Sequence, residues 1–229
     1  MIGCLTRITR QRTVRLISHA RHKPPVLEAL APTFGARDSL EQLESVTSGR
    51  VIAQQKGVPG IAPSAFAAGY GYTYVNAAIA YTRLDGNRFN PRDWGAWYCG
   101  FDVETSLAEV SYHLTRAIRA AGDDFDNTTS YVELLADFDA EFVDIRNVEP
   151  VPACLDADVA IGYPNGQALA SEARQAGLNG IVYPSVRYPG GTCLAAFWPG
   201  LLQNFQQGQI WTLKWEGSPT PQITKGLPI

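Results

Sequence analysis

The sequence predicts an α+β fold. Segments with the alternating pattern of β-strands outnumber segments with the helical pattern, and the two kinds do not alternate regularly along the chain. A regular alternation of strands and helices would instead predict a doubly wound parallel sheet. No repeat, low-complexity run or obvious linker divides the 229 residues, a length that suits one large domain. We therefore expect a single domain over residues 1–229.

The N-terminal third contains one clear strand signal. Residues 13–17, Thr-Val-Arg-Leu-Ile, alternate between the two faces of a β-strand. Residues 24–69 are rich in Pro, Gly, Ala and Ser, with one helix expected at residues 39–47. The aromatic and β-branched content of residues 70–83 predicts a pair of strands in which alternating tyrosines pack within the sheet. These tyrosines are Tyr70, Tyr72, Tyr74 and Tyr81.

The remainder of the chain predicts two helices and a series of short strands. Apolar residues recur at helical spacing over residues 107–121, and Gly122 ends the pattern. A second helix fits residues 166–176, with Asn165 as its N-cap and Gly177 as its terminating residue. The strands are expected at residues 94–101, 130–136, 141–145, 180–183, 192–198 and 209–215.

Composition excludes several classes of protein. Charged residues make up 18% of the chain and the formal net charge is −3, so we expect no direct nucleic-acid partner, because such proteins are broadly basic. No apolar run approaches the ~18 residues of a membrane-spanning helix. The four cysteines form no Cys-x-x-Cys pair, and the N-terminus lacks the apolar stretch of a secretory signal. We therefore expect a soluble protein of the reducing cytoplasm.

The first 25 residues are electrostatically distinct, because they hold six of the 19 basic residues and no acidic one. Two interpretations remain open. A transit peptide has a similar composition, but the pattern at residues 13–17 favours a basic strand within the fold. Such a segment could also hold an anion, for example a nucleotide diphosphate.

Several common catalytic motifs are absent from the sequence. There is no Gly-x-x-x-x-Gly-Lys phosphate-binding loop and no Gly-x-Ser-x-Gly nucleophile motif. The three histidines are His19, His22 and His113. Only the first two are close in sequence, and with no carboxylate nearby they do not predict a metal site.

Two segments carry the most informative pattern. The first contains Gly-Asn-Arg-Phe-Asn-Pro at residues 86–91 and Ser-Leu-Ala-Glu at 106–109. Between them, Tyr98 follows the arginine by ten residues and precedes the glutamate by eleven. The second segment contains Gly-Ile-Val-Tyr-Pro-Ser-Val-Arg at 180–187, followed by Pro-Gly-Gly at 189–191. These segments resemble the RES-domain family, whose members are toxins of bacterial toxin–antitoxin modules.

The resemblance implies an ADP-ribosyltransferase-like core of short, mostly antiparallel strands with flanking helices. The motif-bearing core would span residues 86–200, preceded by an N-terminal extension and the first strands at 1–85. Phe89 and Asn87 replace the tryptophan and the glycine that are usual in the family, and the extension is longer than in compact members. The long extension bears on target specificity rather than on the core chemistry.

The resemblance also implies that the protein consumes NAD. Some members split NAD by hydrolysis or phosphorolysis, and others transfer ADP-ribose to a protein. We expect transfer to a protein acceptor, because the basic N-terminal segment offers extra surface for a macromolecule. An NAD glycohydrolase or phosphorylase that depletes cellular NAD is the alternative, and a non-catalytic nucleotide-binding module is a further one. The implied partner is an antitoxin with a helix-turn-helix domain that blocks the active site.

Carried over to this sequence, the resemblance makes Glu109 the catalytic carboxylate and Arg88 the contact to the phosphates or the ribose of NAD. Tyr98 would stack on nicotinamide or position the ribose, and Ser185 would order the site. A weaker, strand-like likeness adds Arg15 as a nucleotide contact.

The chemistry of NAD cleavage suits these residue types. Breaking the nicotinamide–ribose bond develops an oxocarbenium cation, which a carboxylate stabilises. An arginine holds a diphosphate bidentately, and an aromatic face supports the flat pyridinium. The set therefore suffices without a metal ion or a histidine.

Each of these residues also has a purely structural interpretation. The Ser-Leu-Ala-Glu run at 106–109 matches a capping box at a helix start, although Glu109 falls on the flank of the apolar stripe, facing solvent or a cleft. Arg88 would otherwise be a surface arginine, Tyr98 a core residue of a strand, and Ser185 part of a turn.

Overall fold

The computed structural model describes residues 3–9, 11–19, 49–66, 71–122 and 124–227. The helix expected at residues 39–47 lies outside these ranges. In chain order the elements are β1 (Cys4–Thr9), β2 (Thr13–Ser18), α1 (Gly49–Lys56), α2 (Tyr72–Ala80), β3 (Trp97–Gly100), α3 (Val103–Ala120), β4 (Asp126–Asp137), β5 (Asp139–Asp144), α4 (Val159–Gln175), β6 (Gly180–Pro184), β7 (Thr192–Ala196), β8 (Gln203–Glu216) and β9 (Gln222–Lys225).

The strands form one nine-stranded sheet in the order β1-β5-β6-β7-β3-β2-β4-β8-β9. Only the β5–β6 pair is parallel, and every other neighbouring pair is antiparallel. The expected α+β class with mostly antiparallel strands is therefore confirmed. The strands β4 and β8 are much longer than predicted, and β1 and β9 at the two edges were not predicted.

Strand pairing is least extensive near the centre of the sheet, between β2 and β3. These strands pair at one position only, Val14 opposite Gly100. The Ser106 hydroxyl bridges that position, because its Oγ accepts a hydrogen bond from the Gly100 N–H at 3.2 Å and donates one to the Val14 carbonyl oxygen at 2.7 Å. A Cβ at Gly100 would lie 2.6 Å from this Oγ. The start of α3 is thus attached to both halves of the sheet at their junction.

The two faces of the sheet carry different helices. On the face that we call the front, Val14 and Leu16 pack with Leu107 of α3, and α4 packs over the β6–β7 part of the same face. On the back face, Trp97 of β3 packs with Val75 of α2. Because successive strand residues point to opposite faces, each β2 side chain can be assigned to one face.

The predicted apolar stripe of α3 is confirmed. Val110, Leu114 and Ile118 pack with buried residues of the front face, among them Trp215. The helix begins at Val103, four residues before the predicted start, because the Asp102 carboxylate accepts a hydrogen bond from the Thr105 N–H at 2.6 Å and caps it.

The strand pair predicted for residues 70–83 is wrong, because α2 occupies this region. Val75 and Ile79, one helical turn apart, are both fully buried, and the alanines of its second half favour a helix. The tyrosines therefore do not alternate within a sheet, and Tyr81 is 53% exposed. Tyr70 lies outside the described ranges.

The helix predicted at residues 166–176 starts seven residues earlier, at Val159. Its N-cap is Asp158, whose carboxylate accepts from the Ala160 N–H at 2.9 Å. Asn165 is an interior residue that donates to the Ile161 carbonyl oxygen. Pro164 lies inside the helix, and because proline normally interrupts a helix, the sequence pattern predicts only the part that follows it. The helix ends as predicted at Gly177, which has φ +73°.

The remaining expected strands are confirmed with shifted bounds as β2 to β8. Cys4, Cys99, Cys154 and Cys193 are free thiols. Across the described ranges, no helix has both the length and the apolar character needed to cross a membrane.

Candidate active site

A carboxylate and a hydroxyl meet at the front face, where α3 passes the end of β6. The Ser185 hydroxyl donates to Oε1 of Glu109 at 2.7 Å. The same Ser185 oxygen accepts from the backbone N–H groups of Arg187 and Tyr188, each at 3.1 Å. Because these two N–H groups occupy the lone pairs of the hydroxyl oxygen, the hydroxyl acts as the donor in its hydrogen bond to the carboxylate.

The Cys193 thiol also contacts the Glu109 carboxylate. The Cys193 sulfur lies 3.9 Å from the same Oε1, and burial raises the pKa of this thiol, so that it stays protonated. Within the described part of the chain, no group donates to the second oxygen, Oε2. That oxygen is the part of Glu109 available to a ligand.

The capping-box interpretation of residues 106–109 is wrong. The helix begins at Val103 with Asp102 as its cap, so Glu109 lies in the second turn and not at N3. Ser106 is used instead at the β2–β3 junction. Glu109 is half-buried on the flank of the apolar stripe, as the helical periodicity indicates.

Arg88 is not a surface residue, since only 6% of it is exposed. Its Nη1 donates to the carbonyl oxygens of Cys154 and Asp156, at 2.5 and 2.9 Å. Two glycines of α4 make room for it: a Cβ at Gly162 would lie 2.5 Å from Nη1, and a Cβ at Gly166 would overlap the Arg88 backbone. The surface-arginine interpretation is therefore wrong, and one of the three guanidinium nitrogens, Nη1, is committed to protein backbone.

Tyr98 holds the turn that carries Arg88. Its hydroxyl donates to Asn90 Oδ1 at 2.8 Å and accepts from the Phe89 N–H at 2.9 Å. The fully buried Asn90 amide in turn donates to the carbonyl oxygens of Pro91 and Trp94. Burial raises the pKa of the Tyr98 phenol, so it remains a neutral hydrogen-bonding group. Its stacking on nicotinamide stays a prediction.

Arg15 contacts the backbone of Tyr98 but lies on the face of the sheet opposite to Glu109. Val14 and Leu16 face the front, so Arg15 points to the back face, where its guanidinium lies 4.8 Å from the centroid of the Trp97 ring. Its Nη1 donates to the Tyr98 carbonyl oxygen at 3.0 Å, where β2 and β3 diverge. Burial lowers the pKa of Arg15 to about 10. A nucleotide contact by Arg15 stays a prediction, and such a contact would lie across the sheet from Glu109.

A cleft of about 510 Å³ opens between the second half of α3, the first half of α4 and the loop that precedes Arg88. Polar side chains from all three elements line it. They are Arg83, Asp85, His113, Arg116, Tyr163 and Gln167. None of them lies in the segments that resemble the family. His113 and Arg116 nevertheless follow Glu109 by four and seven residues, a spacing that places all three on one face of the helix.

Arginine side chains in and around the cleft give it a positive electrostatic potential. Burial first, and then the charges of four arginines, lower the pKa of His113 to about 4, so its imidazole is neutral near pH 7. Burial raises the pKa of the Tyr163 phenol, three of the same arginines oppose that rise, and Glu109 adds to it. The four arginines are Arg83, Arg88, Arg116 and Arg187. Glu109 is not among the residues that line the cleft, but its charge acts on Tyr163 of the cleft wall, so the carboxylate lies close to the cleft.

The loop after Ser185 closes one side of this site. The Arg187 guanidinium lies 3.5 Å from the centroid of the Tyr112 ring, and its Nη2 donates to the Ala157 carbonyl oxygen at 2.8 Å. These contacts attach the Ser185 loop to α3 and to the approach to α4. Among the described residues, no three His, Cys, Asp or Glu side chains gather as a metal site would require.

Comparison with known proteins adds a family. The model of the RES domain family matches residues 65–216. The fold is also similar to that of a chain in the crystal structure of the M. tuberculosis MbcT–MbcA toxin–antitoxin complex, with a TM-score of 0.45 and 16% sequence identity over 91% of this chain and 87% of that chain. No curated protein matches the chain.

Proposed function

Because the chain belongs to the RES domain family, we propose that it is an NAD-consuming toxin of a bacterial toxin–antitoxin module. The observation that carries this proposal is the 2.7 Å hydrogen bond between Ser185 and Glu109 beside an arginine-lined cleft. It joins two residues that are 76 positions apart in sequence and that were selected by different motif segments.

The proposed reaction breaks the bond between the nicotinamide nitrogen and C1′ of the adjoining ribose. The electron pair of that bond leaves with nicotinamide, and positive charge develops on C1′ and the ring oxygen, as in glycoside cleavage. A preorganised carboxylate stabilises this charge without reorganising during the reaction. The donors on Oε1 supply that preorganisation for Glu109, because they fix the carboxylate and leave Oε2 available to the ribose.

Arg88 supports the nucleotide end of the same proposal. Its Nη1 is held by two backbone carbonyl oxygens, so a contact to phosphate or ribose would use the remaining guanidinium N–H groups. Tyr98 contributes by holding the turn around Arg88, which makes it a positioning residue in this proposal whether or not it also touches nicotinamide.

We propose a protein as the acceptor of ADP-ribose. The reason is the basic N-terminal segment, which offers a docking surface. The described arginines of that segment have local partners: Arg7 pairs with Asp139, Arg12 donates to Gln206, and Arg15 donates to Tyr98. Support for a protein acceptor therefore rests on the overall charge of the segment. Water or inorganic phosphate as acceptor would make the protein a glycohydrolase or a phosphorylase instead.

The family also supports a proposal for the domain, the cellular compartment and the partner of the protein. We propose a single RES-type domain over residues 1–229, acting in the cytoplasm with NAD as consumed substrate and no metal, and neutralised by a helix-turn-helix antitoxin that covers the cleft. Producing the chain alone in bacteria should then arrest growth and lower the NAD pool. Normal growth with folded protein present and an unchanged NAD pool would contradict the toxin assignment.

Labelled substrate distinguishes the acceptors. NAD carrying label in its adenylate half is incubated with the protein and a bacterial lysate, and the label is followed on protein bands and in small molecules. Label on one or a few bands supports transfer. Label only in free ADP-ribose or its phosphate supports the alternative. Retained binding of NAD with no turnover would identify a non-catalytic nucleotide-binding module.

A further inference from the structure

The face of α3 that carries Glu109 continues along the cleft. His113 and Arg116 lie on this face, four and seven residues further on, and both line the cleft. At a rise of about 1.5 Å per residue, Arg116 lies about 10 Å further along the helix axis than Glu109. That separation is comparable with the extent of a ribose and a diphosphate. Arg83 lines the cleft from the loop after α2.

Among the described residues, Arg83 and Arg116 lack the partners that hold several other arginines. Arg7 and Arg146 form ion pairs with aspartates at 2.8 and 2.6 Å, and Arg88 is held by carbonyl oxygens. In the part of the chain that the structure describes, no carboxylate forms an ion pair with Arg83 or Arg116. Both are exposed to solvent at the cleft, so their charges are available to a ligand.

We propose that Arg83 and Arg116, with His113 beside them, bind the two phosphate groups of the substrate nucleotide. This inference rests on the proposed function for the identity of the nucleotide, and it assigns the phosphates to arginines outside the motif segments. Arginine suits the role because its planar fork matches phosphate oxygens bidentately. One carboxylate, Asp85, also lines this part of the cleft and limits its net positive charge.

His113 fits the same assignment as a neutral donor. With its pKa lowered to about 4, its imidazole carries one N–H near pH 7 and can donate a hydrogen bond to a phosphate oxygen. Tyr163 and Gln167 of α4 line the opposite wall. The phosphates would then lie between α3 and α4, with the adjoining ribose directed towards Glu109.

Binding of ADP tests the assignment without requiring turnover. Isothermal titration of the full chain with ADP, AMP and adenosine is compared between the wild type and the R83Q/R116Q variant. We expect the variant to bind ADP at least tenfold more weakly, AMP less so, and adenosine with unchanged affinity. R119Q is the matched control, because Arg119 is an exposed arginine of the same helix that does not line the cleft, and it should bind ADP like the wild type.

NAD turnover provides the second measurement. We expect R83Q/R116Q to raise the KM for NAD at least tenfold while kcat changes much less. Two outcomes would overturn the proposed subsite. In one, the wild type does not bind ADP; in the other, R83Q/R116Q binds ADP as tightly as the wild type does. If ADP binding depends on the two arginines but NAD is not consumed, the subsite stands and the proposed reaction is wrong.

Discussion

The Ser185 hydroxyl donates to Glu109 Oε1 over 2.7 Å, and this bond connects the loop after β6 with the second turn of α3. Ser185 is itself fixed by two backbone N–H groups. The orientation of the carboxylate is therefore set by the backbone of a loop and not by α3 alone. The consequences of this arrangement can be tested one residue at a time.

Replacing Glu109 with Gln removes the negative charge and preserves the shape of the side chain. Losing one preorganised electrostatic group costs about 10²–10³ in rate, so we expect NAD turnover by E109Q to fall by that factor. E104Q is the control, because Glu104 is an exposed residue of the same helix, and it should keep nearly full activity. Thermal melting checks folding, and wild-type turnover by a folded E109Q would show that Glu109 is not catalytic.

Replacing Ser185 with Ala removes the donor and leaves the carboxylate charged. A hydrogen bond to a charged group contributes about 1.5–3 kcal/mol, so we expect kcat to fall roughly 10–100-fold, less than for E109Q, with little change in KM. S218A, at an exposed turn serine, is the matched control. Equal kcat values for S185A and the wild type would mean that the hydroxyl does not orient the catalytic group.

Replacing Tyr98 with Phe separates two roles of the tyrosine. The variant keeps the ring but leaves the Phe89 N–H without its acceptor and removes one of two donors to Asn90 Oδ1, which still accepts from the Asn87 side-chain amide. Leaving the Phe89 N–H unpaired costs about 1–3 kcal/mol of folding free energy, measurable by urea unfolding. Stability equal to that of the wild type would contradict the positioning role and leave stacking as the reason for the tyrosine.

Replacing Ser106 with Ala tests the bridge between β2 and β3. The loss leaves the Gly100 N–H and the Val14 carbonyl oxygen without this partner, and we expect the free energy of unfolding to drop by about 1–3 kcal/mol. Ser111 of the same helix provides a matched control, because its buried Oγ has no hydrogen-bond partner among the described residues. S111A should leave stability unchanged, and an equal loss in both variants would argue against the bridge.

His113 makes stability depend on pH. Its pKa is about 4 in the folded state against about 6.5 when unperturbed, so the unfolded chain binds more protons between these values. Stability that is complete above the unfolded pKa is therefore lost as the pH falls from 6.5 towards 4. We expect the free energy of unfolding to be about 1–2 kcal/mol lower at pH 5 than at pH 7 from this residue. Urea unfolding of H113Q should show a correspondingly smaller difference, and identical pH profiles would contradict the assignment.

Helical periodicity accounts for the part of the site that the sequence predicted well. The apolar stripe of α3 fixed the flank on which Glu109 lies, and the structure confirms that placement. The spacing of Ser106 and Glu109 did not reveal that Asp102 begins the helix, because a Ser-x-x-Glu run has the same spacing in the interior of a helix as at its start. The actual role of Ser106 depends on two strands that are distant in sequence.

Long-range packing explains why the sequence did not predict the position of Arg15 or the arginines of the cleft. Nothing local indicates that Arg15 shares no face with Glu109, since that depends on which neighbour pairs with β2. The cleft arginines were missed for a related reason. Arg83 and Arg116 line the same cleft because the fold places α3, α4 and the loop after α2 around it, and single-sequence patterns do not specify such an arrangement.

The composition of α4 has a consequence for how the site is assembled. Gly162 and Gly166 each disfavour a helix by about 1 kcal/mol relative to alanine, and an interior proline such as Pro164 by about 3 kcal/mol. A peptide of this stretch would be unstructured in water, because short helices depend on tertiary contacts even with favourable sequences. In the folded chain, Arg88 and its turn pack against the two bare glycine positions, and Ala170 and Ala173 are buried in the core. The wall of the cleft and the arginine beside it therefore stabilise each other, so that a change at either glycine would alter both.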